Sequence, residues 1–273
     1  MKRDKTATVN GVTLSYSESG QPGATPVIFI HGFPFSKATW AAQQNALKAD
    51  YHTIAYDVRG HGKSEAGQAT FSIDLFADDL LALFDELKIE RAVACGLSMG
   101  GYIALNAIQK QPHRFAGLIL ADTQCGADTP EGREKRLKTI AFIKKNGLEV
   151  YANESLKNLF APASFQSRKE EVEFIHQTIL QTPAAVVCRT LQALADRTET
   201  CSYLPKVEIP VLLLVGNEDK ITPPLVAQHM ANAIAGSELI IIDNAGHLPN
   251  LEAADEFNTH VLAFLKRLAT LPG

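Results

Sequence analysis

Short, nearly unbroken apolar runs recur along this chain. They lie at Pro26-Val27-Ile28-Phe29-Ile30, Tyr51 to Tyr56, Arg91 to Cys95, Gly117 to Ala121, Pro210 to Gly216 and Glu238 to Asp243. Runs of this length, closed by turn residues, read as strands, and an unbroken one such as Val211 to Val215 reads as a strand covered on both faces. Other segments carry apolar residues at helical spacing. Ser72 can cap a helix whose stripe is Leu75, Phe76, Leu80, Leu83, Phe84 and Leu87, and Ala253 to Leu268 repeats the pattern with Phe257, Val261, Phe264 and Leu265. The pattern changes once. From about Asp122 to Lys206 strands disappear, and helical stretches follow at Glu131–Lys145, Leu148–Leu159, Arg168–Leu180 and Ala184–Asp196, punctuated by Pro130, Gly147, Pro162 and Pro183. An all-helical block between two buried strands reads as a cap inserted into an α/β core. The core is expected at residues 1–123 and 206–273 and the cap at 124–205.

Composition limits the function classes. The 273 residues suffice for one large α/β domain with an insertion, and 46% hydrophobic with 21% charged residues is an ordinary soluble composition. A net charge of −4 gives no reason to expect nucleic acid, and Arg133, Lys135, Arg136 and Lys138 read as a solvated helix face offset by Glu131 and Glu134. No apolar run is long enough to span a bilayer, and the charged start, Met1 to Thr6, does not resemble a signal peptide. Cys95, Cys125, Cys188 and Cys201 lack metal-ligand spacing, so reduced thiols in a cytoplasmic protein are expected.

The chemistry centres on Gly96-Leu97-Ser98-Met99-Gly100, set between a strand-like run and a helical one. A serine on so tight a strand-to-helix turn leaves no room for side chains two residues away, hence the glycines, and exposes its hydroxyl beside the positive end of a helix. Such a hydroxyl needs a base. His247, in the turn Asn244-Ala245-Gly246-His247 at the end of an expected buried strand, is the histidine best placed; His52, His61, His113, His176, His229 and His260 lie in polar or helical surroundings. The imidazole in turn needs an acidic partner. Asp219 is the leading candidate, in a loop between the run ending at Gly216 and a helix that Thr222 caps and Pro223 begins. Glu218 and Asp122 are its rivals. An oxyanion hole requires two N–H donors: Met99 supplies one, and Phe33, in the loop His31-Gly32-Phe33-Pro34, the other. Gly32 is expected to permit an unusual turn there, and His31 to hydrogen-bond the loop into shape. Asp57 to Ser64 does not fit a phosphate loop and reads as a rigid turn pinned by Asp57 and Arg59.

These segments together resemble the α/β-hydrolase superfamily, in the family's order across most of the chain. The resemblance implies an eight-stranded, mostly parallel sheet with helices on both faces and a helical cap after the sixth strand. It also implies Ser98 as nucleophile, Asp219 as acid, His247 as base, and Phe33 and Met99 as oxyanion donors. Within the superfamily the chain is similar to small carboxylesterases, enol-lactonases and cofactor-free haloperoxidase-like enzymes. The serine departs from the aspartate that epoxide hydrolases and haloalkane dehalogenases carry at the elbow. Phe33-Pro34-Phe35 departs from the longer glycine-rich loop of carbon–carbon bond hydrolases.

The expected reaction is hydrolysis of small, largely apolar carboxylic esters through an acyl-enzyme, without cofactor or metal. Phe35, Leu97, Phe142, Leu159 and Phe160 are the expected pocket residues, and a small-molecule ester is the expected partner. The same triad also serves lactone opening or perhydrolysis. A reading of another class is a non-catalytic binding protein on a hydrolase scaffold.

Overall fold

The computed structural model describes residues 4–21 and 25–270; Met1, Lys2 and Arg3 of the charged start lie outside them. The chain begins with the antiparallel hairpin β1 (Lys5–Val9) and β2 (Val12–Ser19). Next come β3 (Val27–Ile30), the helix α1 (Ala41–Leu47), β4 (Thr53–Tyr56), α2 (Ile73–Glu86), β5 (Ala92–Leu97), α3 (Met99–Lys110) and β6 (Phe115–Ala121). Five helices follow: α4 (Pro130–Asn146), α5 (Leu148–Leu159), the short α6 (Ser164–Ser167), α7 (Lys169–Gln181) and α8 (Ala184–Ala195). The chain then returns through β7 (Val211–Gly216), α9 (Pro224–Ala233), β8 (Glu238–Ile242), the short α10 (Pro249–Glu252) and α11 (Ala254–Leu268).

The eight strands form one sheet in the order β1-β2-β4-β3-β5-β6-β7-β8. β2 pairs antiparallel with β1 and β4, and every later pairing is parallel. The expected mostly parallel sheet with helices on both faces is therefore the fold. Strand alternation divides the core in two. Ile28, Ile30, Ala94, Leu118, Leu120 and Leu213 face α2 and α3, whereas Val27, Phe29, Val93, Cys95, Ile119 and Leu212 face α1 and α11. Ser72 caps α2 as its sequence suggests, its hydroxyl accepting the Leu75 N–H at 2.9 Å.

Three sequence expectations about the elements and the cysteines differ from the structure. β8 is an edge strand rather than a buried one: only Ile242 is fully buried, and Ile241 is 47% exposed. Its apolar composition misleads because β7 covers one of its edges and no strand covers the other. Thr222 does not cap α9, which begins at Pro224 with Pro223 before it; the Thr222 hydroxyl points back to Asp219. Finally, Cys125 and Cys201 are joined in a disulfide rather than carried as free thiols, which leaves Cys95 and Cys188 reduced. The cysteines are 76 residues apart, and they meet because the chain leaving β6 and the chain returning towards β7 run side by side; the Thr200 N–H donates to the Cys125 carbonyl at 2.8 Å.

Candidate active site

The loops after β3, β5, β7 and β8 converge at the carboxyl edge of the sheet, the usual place for chemistry in open α/β sheets. Ser98 ends β5 and starts α3 with φ 52° and ψ −112°, a conformation that side chains other than glycine rarely adopt. Local crowding fixes its neighbours. A Cβ on Gly96 would lie 2.4 Å from the Gly100 carbonyl carbon, and one on Gly100 would lie 2.1 Å from the Ile30 oxygen. The Ser98 N–H donates to the Ala121 carbonyl (2.9 Å), and the Thr123 hydroxyl donates to the Ser98 carbonyl (2.8 Å). The turn is thus held against β6.

The Asp219–His247 pair is formed and buried. His247 Nδ1 lies 2.8 Å from Asp219 Oδ2, which also accepts the Thr222 hydroxyl at 2.7 Å. Asp219 Oδ1 accepts the N–H groups of Ile221 (2.8 Å) and Thr222 (3.2 Å). Burial opposes ionisation of Asp219, but the imidazole and these donors prevail and hold its carboxyl well below the usual carboxylate range. Glu218 is half-exposed and no hydrogen bond joins its carboxylate to the imidazole. Ser98 and His247 border one cavity; among the described residues no hydrogen bond links the hydroxyl to the ring.

The loop after β3 reaches the same cavity with Phe33 and Pro34. His31 is fully buried; its Nδ1 bonds the Gly32 carbonyl (2.8 Å) and its Nε2 accepts the Val58 N–H (2.9 Å). Gly32 does not sit at positive φ. It is constrained instead by the Phe35 ring, 3.3 Å from where a Cβ would stand. Asp57 pins the next loop by accepting the Lys37 N–H (2.7 Å), the Lys37 ammonium (2.6 Å) and the Lys63 N–H (2.9 Å). Arg59 clamps buried Asp79 through two 2.7 Å bonds.

With this geometry in place, the comparison with known proteins is direct. A family model described as the alpha/beta hydrolase fold matches residues 25–254. The chain belongs to the α/β-hydrolase family. The hydrolase is 29% identical to 3-oxoadipate enol-lactonase 2 of Acinetobacter baylyi over 262 residues, covering 96% of each chain. It superposes on a thermophilic esterase from Thermogutta terrifontis with a TM-score of 0.93 at 32% identity, covering 98% of this chain and all of that one. An enol-lactonase from Burkholderia xenovorans gives a TM-score of 0.90 at 28% identity, covering 96% of this chain and all of that one.

The hydrolase's cavity encloses about 730 Å³ between the sheet edge and the inserted helices. Ser98, Met99, Phe33 and His247 border it from the core, and Phe142 and Leu159 from the inserted helices. Phe35, Leu97 and Phe160, expected in the pocket, do not border it. All three are buried in the core on the α1 and α11 side of the sheet, Leu97 because it follows the alternation of β5 onto that face. Nor is the wall wholly apolar: Lys135, Arg136, Glu154 and Asn158 line it as well. Of these, Lys135 and Arg136 lie on the α4 face that reads from sequence as solvated surface.

The roles of two residues of the site escaped the sequence reading. Thr222 is the second donor to Asp219 Oδ2. Glu252, buried on α10, accepts the Gly246 N–H (2.8 Å) through Oε1, and the Ala161 N–H (2.8 Å) and Ser164 hydroxyl (2.6 Å) through Oε2. It therefore joins the His247 loop to the inserted block, as does the His247 N–H, which donates to Leu159 O (2.8 Å). Burial raises the Glu252 carboxyl against the opposing pull of these donors.

Asp122, Asp219 and His247 offer ligand-type atoms within 4.8 Å of one another. The atoms of Asp219 and the His247 Nδ1 are committed to each other and to Thr222 and Ile221. Among the described residues no helix is long and apolar enough to cross a membrane.

Proposed function

We propose that the protein hydrolyses carboxylic esters through an acyl-enzyme on Ser98. The observation that carries this reading is the buried Asp219–His247 pair opening on the cavity that Ser98 also borders. His247 takes the Ser98 proton as the hydroxyl attacks the ester carbon. The N–H groups of Phe33 and Met99 hold the oxyanion. The imidazolium then protonates the leaving alcohol, and the neutral ring activates water to release the acid. Asp219 keeps the ring in the tautomer that leaves Nε2 free to accept, and stabilises the imidazolium. The apolar part of the cavity, Phe33, Phe142 and Leu159, suits the acyl or alcohol portion of a small ester. Ser98→Ala should lower turnover of an activated ester at least about 10³-fold while the fold persists. Undiminished turnover in that variant sinks the reading.

A second reading is supported by the enol-lactonases among the relatives. A lactone is a cyclic ester, so opening it uses the same attack. Side-by-side kcat/KM values on acyclic esters and enol-lactones separate the two.

A further inference from the structure

Asp122 is a buried carboxyl that the reaction above does not use. It follows β6 as Asp219 follows β7, and these strands are parallel neighbours, with Ala121 beside Leu214. The two aspartates therefore come to one place. Asp122 is held there at φ 44°, a left-handed conformation that aspartate tolerates better than most residues. Its N–H donates to the Leu214 carbonyl and its Oδ1 accepts the Gly216 N–H, both at 2.9 Å. Its Oδ2 is buried and has no hydrogen-bond partner among the described residues. One oxygen of each carboxyl and one nitrogen of His247 lie within 4.8 Å of one another.

Two buried carboxyls this close do not both ionise. Asp219, with four hydrogen-bonding contacts, is the better-stabilised anion. We propose that Asp122 and Asp219 are an acid pair sharing one proton, with Asp122 as its carrier and the reserve acceptor for the His247 imidazole. The charged groups facing Asp122 are Asp219 and Glu252, both of like sign, and His247. Burial first, and then the charge of Asp219, push the Asp122 carboxyl well above the usual range. When Asp219 is lost the like charge is lost with it. Burial still opposes its ionisation, but without the neighbouring negative charge Asp122 loses its proton to solvent more readily, and its carboxylate can accept the imidazole Nδ1–H. Asp122 is a positioning residue that acts through the imidazole, and the inference rests on the triad reading above.

The test compares Asp219→Ala with Asp219→Ala/Asp122→Asn on an activated ester, with wild type and Ser98→Ala alongside. Loss of a triad acid ordinarily costs roughly 10⁴-fold in kcat. With the reserve carboxylate, Asp219→Ala should lose only about 10²-fold, and adding Asp122→Asn should remove most of the remainder. The acid limb of kcat/KM should move to lower pH in the double variant relative to the single one, because the imidazolium has lost a second negative neighbour; a purely structural role for Asp122 would not move it. Folding is checked by circular dichroism, and Asp219→Asn replaces Asp219→Ala should the latter fail to fold. Equal kcat and equal acid limbs in folded single and double variants overturn the acid pair. An active Ser98→Ala overturns the triad reading instead, so the two failures are distinguishable.

Discussion

At Ser98, steric necessity connects sequence to chemistry. The serine carries positive φ, and the glycines two residues away on either side have no room for a Cβ. Gly100→Ala would drive a methyl group into the Ile30 carbonyl. It should lower unfolding free energy by several kcal/mol, on the order of 3, or prevent folding, as read by denaturant titration. This much was legible because local crowding leaves a local signature. Asp219 and His247 were legible too, each as a polar residue after an apolar run. Thr222 was seen only as a helix cap, because its spacing from Asp219 suits both roles and the choice depends on where His247 lies. Thr222→Val keeps the shape but removes a donor to Asp219 Oδ2; kcat should fall by up to about 10- to 150-fold, the worth of one hydrogen bond to a charged group. An unchanged kcat would show that the hydroxyl does not matter to the pair.

Among the secondary-structure elements, the strands and long helices could be read from periodicity, and the faces of the inserted helices could not. Phe142, Leu159 and Phe160 look alike in sequence, yet the first two border the cavity and the third is buried in the core. Which face turns inward depends on how α4, α5, α7 and α8 dock, and that is decided by contacts far along the chain. Glu252 is central to the docking. Its side chain takes donors from both sides of the junction, Gly246 beside His247 and Ala161 with Ser164 in the inserted block. Glu252→Ala would leave these buried donors unpaired. It should lower stability by about 3 kcal/mol and lower activity with it, while Glu252→Gln, which keeps an acceptor oxygen, should lose less. Equal losses would argue that the carboxylate's charge, rather than its acceptor geometry, holds the junction.

For the whole molecule, two properties follow from long-range organisation. The Cys125–Cys201 bond ties the start of the inserted block to its end across 76 residues. Nothing local marks these cysteines as partners, which is why the sequence suggested free thiols. Replacing both with serine should lower unfolding free energy by about 2–4 kcal/mol, measured without reductant against wild type. The second property is acid sensitivity. His31 and His61 are fully buried and stay neutral in the folded state: burial lowers both, and takes His61 from 6.5 down to about 3, with the neighbouring His31 contributing. The folded-state values lie below the unfolded ones, so the unfolded chain binds more protons once pH falls below about 6.5. His61 therefore costs the fold stability progressively from about pH 6.5 down towards pH 3, and His31 acts in the same direction. His61→Phe should flatten the slope of stability against pH between 6 and 4 by about 1.4 kcal/mol per pH unit, the contribution of one proton. An unchanged slope would place the acid sensitivity elsewhere.

The central claim is that the Ser98 hydroxyl is made nucleophilic by His247. Covalent labelling with a fluorophosphonate, located by peptide mass spectrometry, tests it most directly, because it needs no knowledge of the natural substrate. The account predicts a single adduct on the peptide carrying Ser98, absent in Ser98→Ala and formed at least about 10²-fold more slowly in His247→Gln. No adduct on Ser98 in the wild type, or labelling as fast without the imidazole as with it, would contradict the account.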